Sequence, residues 1–352
     1  MEMPRPEDAV IARRGEILDA LRRIVPGDGV IADDAAMRAY ECDGLTAYRQ
    51  MPLIVVLPSS VEQIAQVMTY CRSQGVKIVP RGAGTSLSGG ALPLADGITL
   101  GLGKFNRIVE VDYANRCVVA QPGVTNLAIT QAVEGDGFYY APDPSSQIAC
   151  SIGGNVAANS GGVHCLKYGL TTNNLLGLQM VTMDGEIIRL GGKHLDAGGY
   201  DLMGIVTGSE GLLGVITEVT VRILPKPPVA RALLIGFASS VAAGDCVASI
   251  IAAGIIPGGM EMMDRPAIHA VEAFVHAGYP LDVEAILIVE LDGPDAEVDF
   301  LVERVRHIAT ARGAVSVRVS ENEEQRLLFW AGRKAAFPAV GRISPDYYCM
   351  DG

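Results

Sequence analysis

No cluster of Lys and Arg interrupts this sequence, and its formal net charge is −12 over 352 residues. A nucleic-acid partner is not expected, because phosphate backbones are bound by basic patches. A small anionic ligand stays compatible, since backbone dipoles act locally whatever the net charge. No apolar run reaches the roughly 18 residues of a membrane span, so no integral membrane segment is expected, and any membrane association would be peripheral, through partners. The amino-terminal stretch has acidic residues and amphipathic periodicity where a signal peptide has an uninterrupted apolar core, which points to a cytoplasmic protein. The seven cysteines, Cys42, Cys71, Cys117, Cys150, Cys165, Cys246 and Cys349, are odd in number and never spaced C-x-x-C. They read as reduced, buried or half-buried thiols, with no evident iron–sulfur site and no metal ligands among them.

What is present suffices for two or more domains, since 49% of the residues are apolar. Residues 1–50 read as a helical arm. Ile17, Leu18, Leu21 and Ile24 recur at helical spacing until Pro26-Gly27, and a short helix runs from an Asp33-Asp34 cap to about Tyr40. Asp43 and Tyr48 then either line a ligand or are solvated linker residues. Leu53 to Leu57 is β-rich, Ser59 or Ser60 caps a helix bearing Ile64, Val67 and Met68, and Gly75 ends it before the strand Lys77 to Val79.

That strand enters Pro80-Arg81-Gly82-Ala83-Gly84-Thr85-Ser86-Leu87-Ser88-Gly89-Gly90. Glycines accept positive φ and let a ligand approach backbone N–H groups, so the loop suits a pyrophosphate; an ordinary glycine-rich turn is the alternative. A Rossmann fingerprint fails because Leu87 occupies its third glycine position and SGGALPLADG cannot open a helix; a P-loop fails because no Gly-Lys-Ser/Thr follows.

Four more such stretches turn the balance toward a site. They are Gln121-Pro122-Gly123-Val124 before a helix at Asn126 to Val133, Pro142-Asp143-Pro144-Ser145-Ser146, Cys150 to Gly169, and Gly208-Ser209-Glu210-Gly211 running through Gly214-Val215-Ile216 into a strand. Five loops low in bulk suggest one extended ligand lying close to backbone. Within the longest, Asn155 and Asn159 are four apart, so a helix would put both amides on one face. His164, beyond Gly161-Gly162, is either a pocket residue or a structural histidine.

Asp184-Gly185 marks a hairpin between Leu175–Met183 and Glu186–Arg189, and Val215 to Leu224 reads as a strand pair. Pro225, Pro227 and Pro228 close the region at a domain boundary. Beyond it strands and helices alternate, which predicts an antiparallel sheet covered by helices on one face. Arg333 and Lys334 stand on a helix beside Trp330, the sole tryptophan, as a carboxylate pocket or a solvated face.

Taken together, Pro80 to Ser86, Gln121-Pro122-Gly123, Pro142-Asp143-Pro144, Gly153-Gly154-Asn155, Tyr168-Gly169 and Gly208 to Gly211 resemble the FAD-linked oxidases and dehydrogenases of the vanillyl-alcohol oxidase superfamily. The resemblance spans essentially the whole chain, and is greatest to the glycolate oxidase, D-lactate and D-2-hydroxyglutarate dehydrogenase branch. It implies an α+β protein, with a two-subdomain PCMH-type FAD-binding domain at residues 51–228 and an α+β cap or substrate domain, partial at its carboxyl end, at 229–352. The loop from Arg81 to Leu87, with Gly90, would cradle the pyrophosphate. Ser145, Cys150, Ser151, the run to Gly161 and Gly162, Tyr168, and the segment from Gly208 through Ile216 would line the flavin. Thr85 stands where members with covalent flavin carry histidine, so FAD is expected without a covalent bond. Arg333 matches the arginine directed at the substrate carboxylate. The base is expected outside this chain, because relatives place a histidine pair and an acid, often holding a divalent metal, downstream, and Cys349-Met350-Asp351-Gly352 reads like the middle of a strand.

The implied reaction is oxidation of a small 2-hydroxy acid to the 2-oxo acid, with electrons passed to a quinone, a cytochrome or a partner subunit. The implied partners are an iron–sulfur subunit and a second flavin-domain subunit. Two other readings stay open: different flavin chemistry, of the aldonolactone oxidase or alkylglycerone-phosphate synthase type, and a flavin-binding subunit without its own turnover.

Overall fold

A computed structural model describes residues 3–194 and 198–344. The Cys349 to Gly352 stretch, expected as strand, lies outside the described residues. The described residues divide into two compact units, one of residues 3–161 and 170–224, the other of 162–169 and 225–344. Among the described residues no helix is long and apolar enough to cross a membrane.

The first unit holds two main sheets, of four and five strands. In one, the strands Ile54–Val56, Gly97–Gly101 and Lys77–Arg81 run parallel in that order, and Val30–Ile31 pairs antiparallel with Ile54–Val56. The crossover helix Val61–Gln74 starts where the Ser60 side chain accepts from the Gln63 amide and stops at Gly75 with φ 67°. A side-chain cap and a left-handed glycine each satisfy backbone groups that the helix ends leave unpaired. The helices of the amino-terminal arm are built into this unit, with Val10, Ile17 and Leu21 in the same core as Ile54, Ile64 and Ile98.

The second sheet of the unit is antiparallel, in the order Ile108–Asp112, Cys117–Ala120, Gly214–Arg222, Leu175–Thr182, Ile187–Gly191. The hairpin at Asp184-Gly185 forms as the sequence predicts, with Gly185 at φ 82°. Where the sequence predicts a strand pair after Val215, a single strand runs from Gly214 to Arg222. No turn residue divides that run, and its backbone is paired on both sides, to Cys117–Ala120 and to Leu175–Thr182.

In the other unit the strands Gly259–Asp264, Ala285–Gly293, Val229–Phe237 and Ala314–Val319 make an antiparallel sheet in that order. Helices cover both faces, against the expectation of one. Ser240–Ala252 and Asp295–Ala311 pack with Leu233, Ile235, Phe237, Leu287 and Val289. Arg265–Val275, Glu323–Lys334 and Ala336–Ile343 pack with Ala232, Leu234, Ile286 and Ile288. The reason is in the central strands, whose apolar residues do not alternate with polar ones. A strand apolar at every position must be buried on both faces.

Candidate functional site

The glycine-rich stretches of the first unit converge. The strand Lys77–Arg81 ends at the loop, where Gly84 and Gly89 have φ of 71° and 82°. Gly82 lies against the hydroxyl of Ser151, which caps the helix Ile152–Ala158 by accepting from the Gly154 amide. Gly153 of that helix rests on Pro122, and the Gly123 amide donates to the Phe105 carbonyl at 2.7 Å. Asn126 Nδ2 donates to the Pro142 carbonyl and to Asn155 Oδ1, both at 3.0 Å, which ties in the Pro142–Ser146 stretch. The Gly208 and Glu210 amides donate to the carbonyls of Val156 and Ala157, a Cβ on Gly211 would lie 3.1 Å from the Pro80 ring, and Gly90 faces the Glu210 carboxylate. Two remote segments, at Ser151 and at Glu210–Gly211, thus touch the loop, and the stretches at Pro122 and Pro142 are tied to the helix that Ser151 caps.

The loop has the donors an anion needs. Among the described residues, none of the amides from Gly82 to Leu87 has a hydrogen-bond acceptor. Successive amides left without acceptors in a turn make an anion-binding concavity, and Gly82 and Gly84 let the loop backbone pack directly on the Ser151 hydroxyl and the Arg81 guanidinium, where a Cβ would not fit. The residues present fit a dinucleotide pyrophosphate.

Several expected ligand residues have other work in the structure. Val124, Val215 and Ile216 are core side chains, so they can offer a ligand only backbone. Gln121 Oε1 accepts from the Arg107 amide, and Cys150 is buried against Asn155. Asp143 is half-buried and Ser145 exposed. Asn155 and Asn159 do not share a helix face. The helix stops at Ala158, Asn159 takes the left-handed conformation at φ 48°, and its Oδ1 accepts from the Thr172 amide. Gly162 and Tyr168 belong to the second unit, where the Tyr168 hydroxyl donates to Asp292.

A second constellation lies within that other unit. Glu290, only 3% exposed, stands on the strand Ala285–Gly293. Its carboxylate receives Arg326 Nη1 at 2.6 Å and the Trp330 indole N–H, and lies 3.1 Å from His164 Nε2. Burial alone would raise its pKa; the hydrogen bond to His164 and the charge of Arg326 outweigh that and hold it at about 2. Two residues on, Asp292 receives Lys167 Nζ and the Tyr168 hydroxyl. Arg326, Trp330 and Arg333 fall at i, i+4 and i+7 of the helix Glu323–Lys334, so they form one stripe facing these acids. Arg326 is fully engaged, by Glu290 and by both oxygens of Glu323. Arg333 is held only through Nε, 3.0 Å from Glu261 Oε2, and its two Nη groups have no acceptor among the described residues. Lys334 is exposed.

Sequence reasoning named Arg333 and His164 but missed Glu290, Asp292, Arg326 and Glu261. A signal existed: Glu290 and Asp292 are acids inside the run AILIVELDG, and a carboxylate in a buried strand needs a cation partner.

Residues 52–191 match the FAD binding domain family, and residues 226–352 the C-terminal domain of the FAD linked oxidases. The chain is 58% identical over 339 residues to glycolate oxidase subunit GlcD of Escherichia coli (strain K12), covering 96% of this chain and 68% of that one. It is 30% identical over 337 residues to D-lactate dehydrogenase of Anaerostipes hadrus, covering 92% of this chain and 70% of the other. Among solved structures, an alkyldihydroxyacetonephosphate synthase superposes with a TM-score of 0.76 at 19% identity, over 97% of this chain and 65% of its own, a likeness of fold alone. By both of its domains and by its identity to these relatives, the chain belongs to the FAD-linked oxidases.

Proposed function

We propose that this protein oxidises a small 2-hydroxy acid, of the glycolate or D-lactate class, to the corresponding 2-oxo acid with FAD held noncovalently. The observation that carries the proposal is the 58% identity over nearly the whole chain to a glycolate oxidase subunit. A D-lactate dehydrogenase at 30% identity has a substrate of the same chemical class. FAD, when bound, supplies the hydride acceptor.

The chain's own residues have two tasks. The amides from Gly82 to Leu87, with the segments at Gln121–Val124, Pro142–Ser145, Cys150–Gly161 and Gly208–Gly214, hold the dinucleotide. Arg333 receives the substrate carboxylate on the edge of its guanidinium that Glu261 leaves open, where a planar fork can meet both oxygens. Electrons then leave through an assembly, as "subunit" in the relative's name suggests, with an iron–sulfur subunit and a second flavin-domain subunit as the proposed partners.

The test is anaerobic. The flavin-loaded protein is mixed with glycolate, D-lactate, L-lactate and D-2-hydroxyglutarate, and the loss of flavin absorbance is followed in a single turnover. Bleaching by at least one short 2-hydroxy acid is expected. Bleaching by an aldonolactone or a phenol, with none by any hydroxy acid, would overturn the assignment.

A further inference from the structure

Two buried charges of the first unit make no ion pair among the described residues. Arg81, 8% exposed, opens the glycine loop; Asp43, 5% exposed, lies in the amino-terminal arm. A buried charge must be compensated by hydrogen bonds if not by a counter-charge, and both find their partners in the same crossing of chain. Arg81 Nη1 donates to the carbonyls of Cys42 at 2.7 Å, Ala91 at 3.3 Å and Tyr40 at 3.5 Å, and its guanidinium lies 5.6 Å from the centre of the Tyr40 ring. Asp43 accepts from the Ala91 amide at 3.2 Å and from the Leu45 amide at 2.9 Å. The two ends of the loop, Arg81 and Ala91, are therefore tied to one segment, Tyr40 to Leu45.

Gly44 of that segment lies directly behind the loop. A Cβ there would sit 2.7 Å from the Ser86 carbonyl oxygen and 2.8 Å from that of Thr85, closer than a carbon can approach. In a planar trans peptide the C=O and the next N–H point in opposite directions. Carbonyls of Thr85 and Ser86 turned toward Gly44 thus require the amides of Ser86 and Leu87 to point away from the arm, and those amides have no acceptor among the described residues.

We infer that Tyr40 to Leu45 is a working part of the cofactor site, and that Arg81, Asp43 and Gly44 are positioning residues that preset the loop's amides for the pyrophosphate. Arg81 holds the loop through Nη1, which is committed to the backbone carbonyls of Tyr40, Cys42 and Ala91. The inference rests on the loop being the pyrophosphate cradle.

The experiment measures binding of FAD, ADP and lumiflavin to flavin-stripped protein by fluorescence and calorimetry, with the melting temperature of each stripped variant alongside. Ser86→Pro removes a loop amide and tests the cradle itself. Gly44→Ala and Arg81→Met test the brace, Gly44→Ala deciding where Arg81→Met does not fold, and Arg81→Lys restores part of the donor set. Both brace variants should weaken FAD and ADP about tenfold or more, the loss expected when charge-assisted hydrogen bonds no longer fix a binding loop. Lumiflavin, which has no pyrophosphate, should bind as to the parent, and Arg81→Lys should fall between. If Ser86→Pro leaves ADP binding unchanged, the cradle reading is wrong. If Ser86→Pro weakens ADP while the brace variants stay within about twofold of the parent, well under the loss of one hydrogen bond, the brace is wrong. Equal losses for ADP and lumiflavin would also overturn it, as general destabilisation.

Discussion

Arg326 and Arg333 stand seven residues apart on one helix face, and their hydrogen bonds separate them by role. Arg326 spends its guanidinium on Glu290 and Glu323, whereas Arg333 gives only Nε to Glu261. A fork fixed at its back edge keeps its orientation, so substrate does not have to order it on binding. Replacing Arg333 with Lys should raise KM strongly, because an ammonium cannot bind a carboxylate bidentately. Glu261→Gln should raise KM by about tenfold with kcat reduced less, since one charge-assisted hydrogen bond of roughly 1.5 kcal/mol or more is weakened while the fork survives. Steady-state kinetics that match the parent for both variants would remove Arg333 from substrate binding. At the same scale, Thr85 has no ring nitrogen with which to hold flavin, so acid precipitation should leave the yellow colour in the supernatant. Colour in the pellet would contradict noncovalent binding.

Among the elements, the strand Ala285–Gly293 carries the clearest energetic consequence. The Glu290 pKa is held at about 2, below the 4.5 of an unstrained glutamate, by His164 and Arg326, with the Trp330 indole N–H also donating and Glu323 sharing Arg326. A depressed carboxylate pKa means the unfolded chain binds the proton more readily, so the stabilisation is complete above pH 4.5 and is lost as the pH falls toward 2. The linkage is worth on the order of 3 kcal/mol. Denaturant melts of the parent should weaken across that window more steeply than those of Glu290→Gln, which should be less stable at pH 6 and keep only the shallower acid dependence of the other depressed carboxylates, Asp96, Asp112 and Glu323 among them. Parallel curves would refute the role given to Glu290. The same strand explains an error of reading. Its unbroken apolar run implies two covered faces, yet helix–strand alternation alone predicts one. Asn155 and Asn159 mark the converse limit, because four-residue spacing predicts a shared face only while the helix continues, and here it ends at Ala158.

Over the whole molecule, the change of unit after Leu224 falls at the first of three closely spaced prolines, Pro225, Pro227 and Pro228. The glycine loop and its companions were equally legible, since positive φ and open backbone leave a compositional trace. The passage of residues 162–169 into the second unit leaves none: its partners, Glu290 and Asp292, lie more than a hundred residues away, and local sequence carries no sign of a contact made at that distance. Residues 162–169 therefore take their order from contacts within the second unit. Lys167 donates to the Asp292 carbonyl at 2.8 Å as well as to its carboxylate, and the Val163 side chain packs with the core that holds Ile288 and Trp330. In a fragment ending at Pro228 these partners are gone, and a segment without packing or hydrogen bonds opens to protease at almost no free-energy cost. Trypsin should therefore cut after Lys167 rapidly in the fragment and slowly in the full chain, while the one site on the Val61–Gln74 helix, Arg72, is cut at similar rates in both because that helix packs within the first unit. Asp292→Asn in the full chain should give an intermediate rate at Lys167. Equal cutting at Lys167 in fragment and full chain would mean that the segment owes its order to the first unit alone.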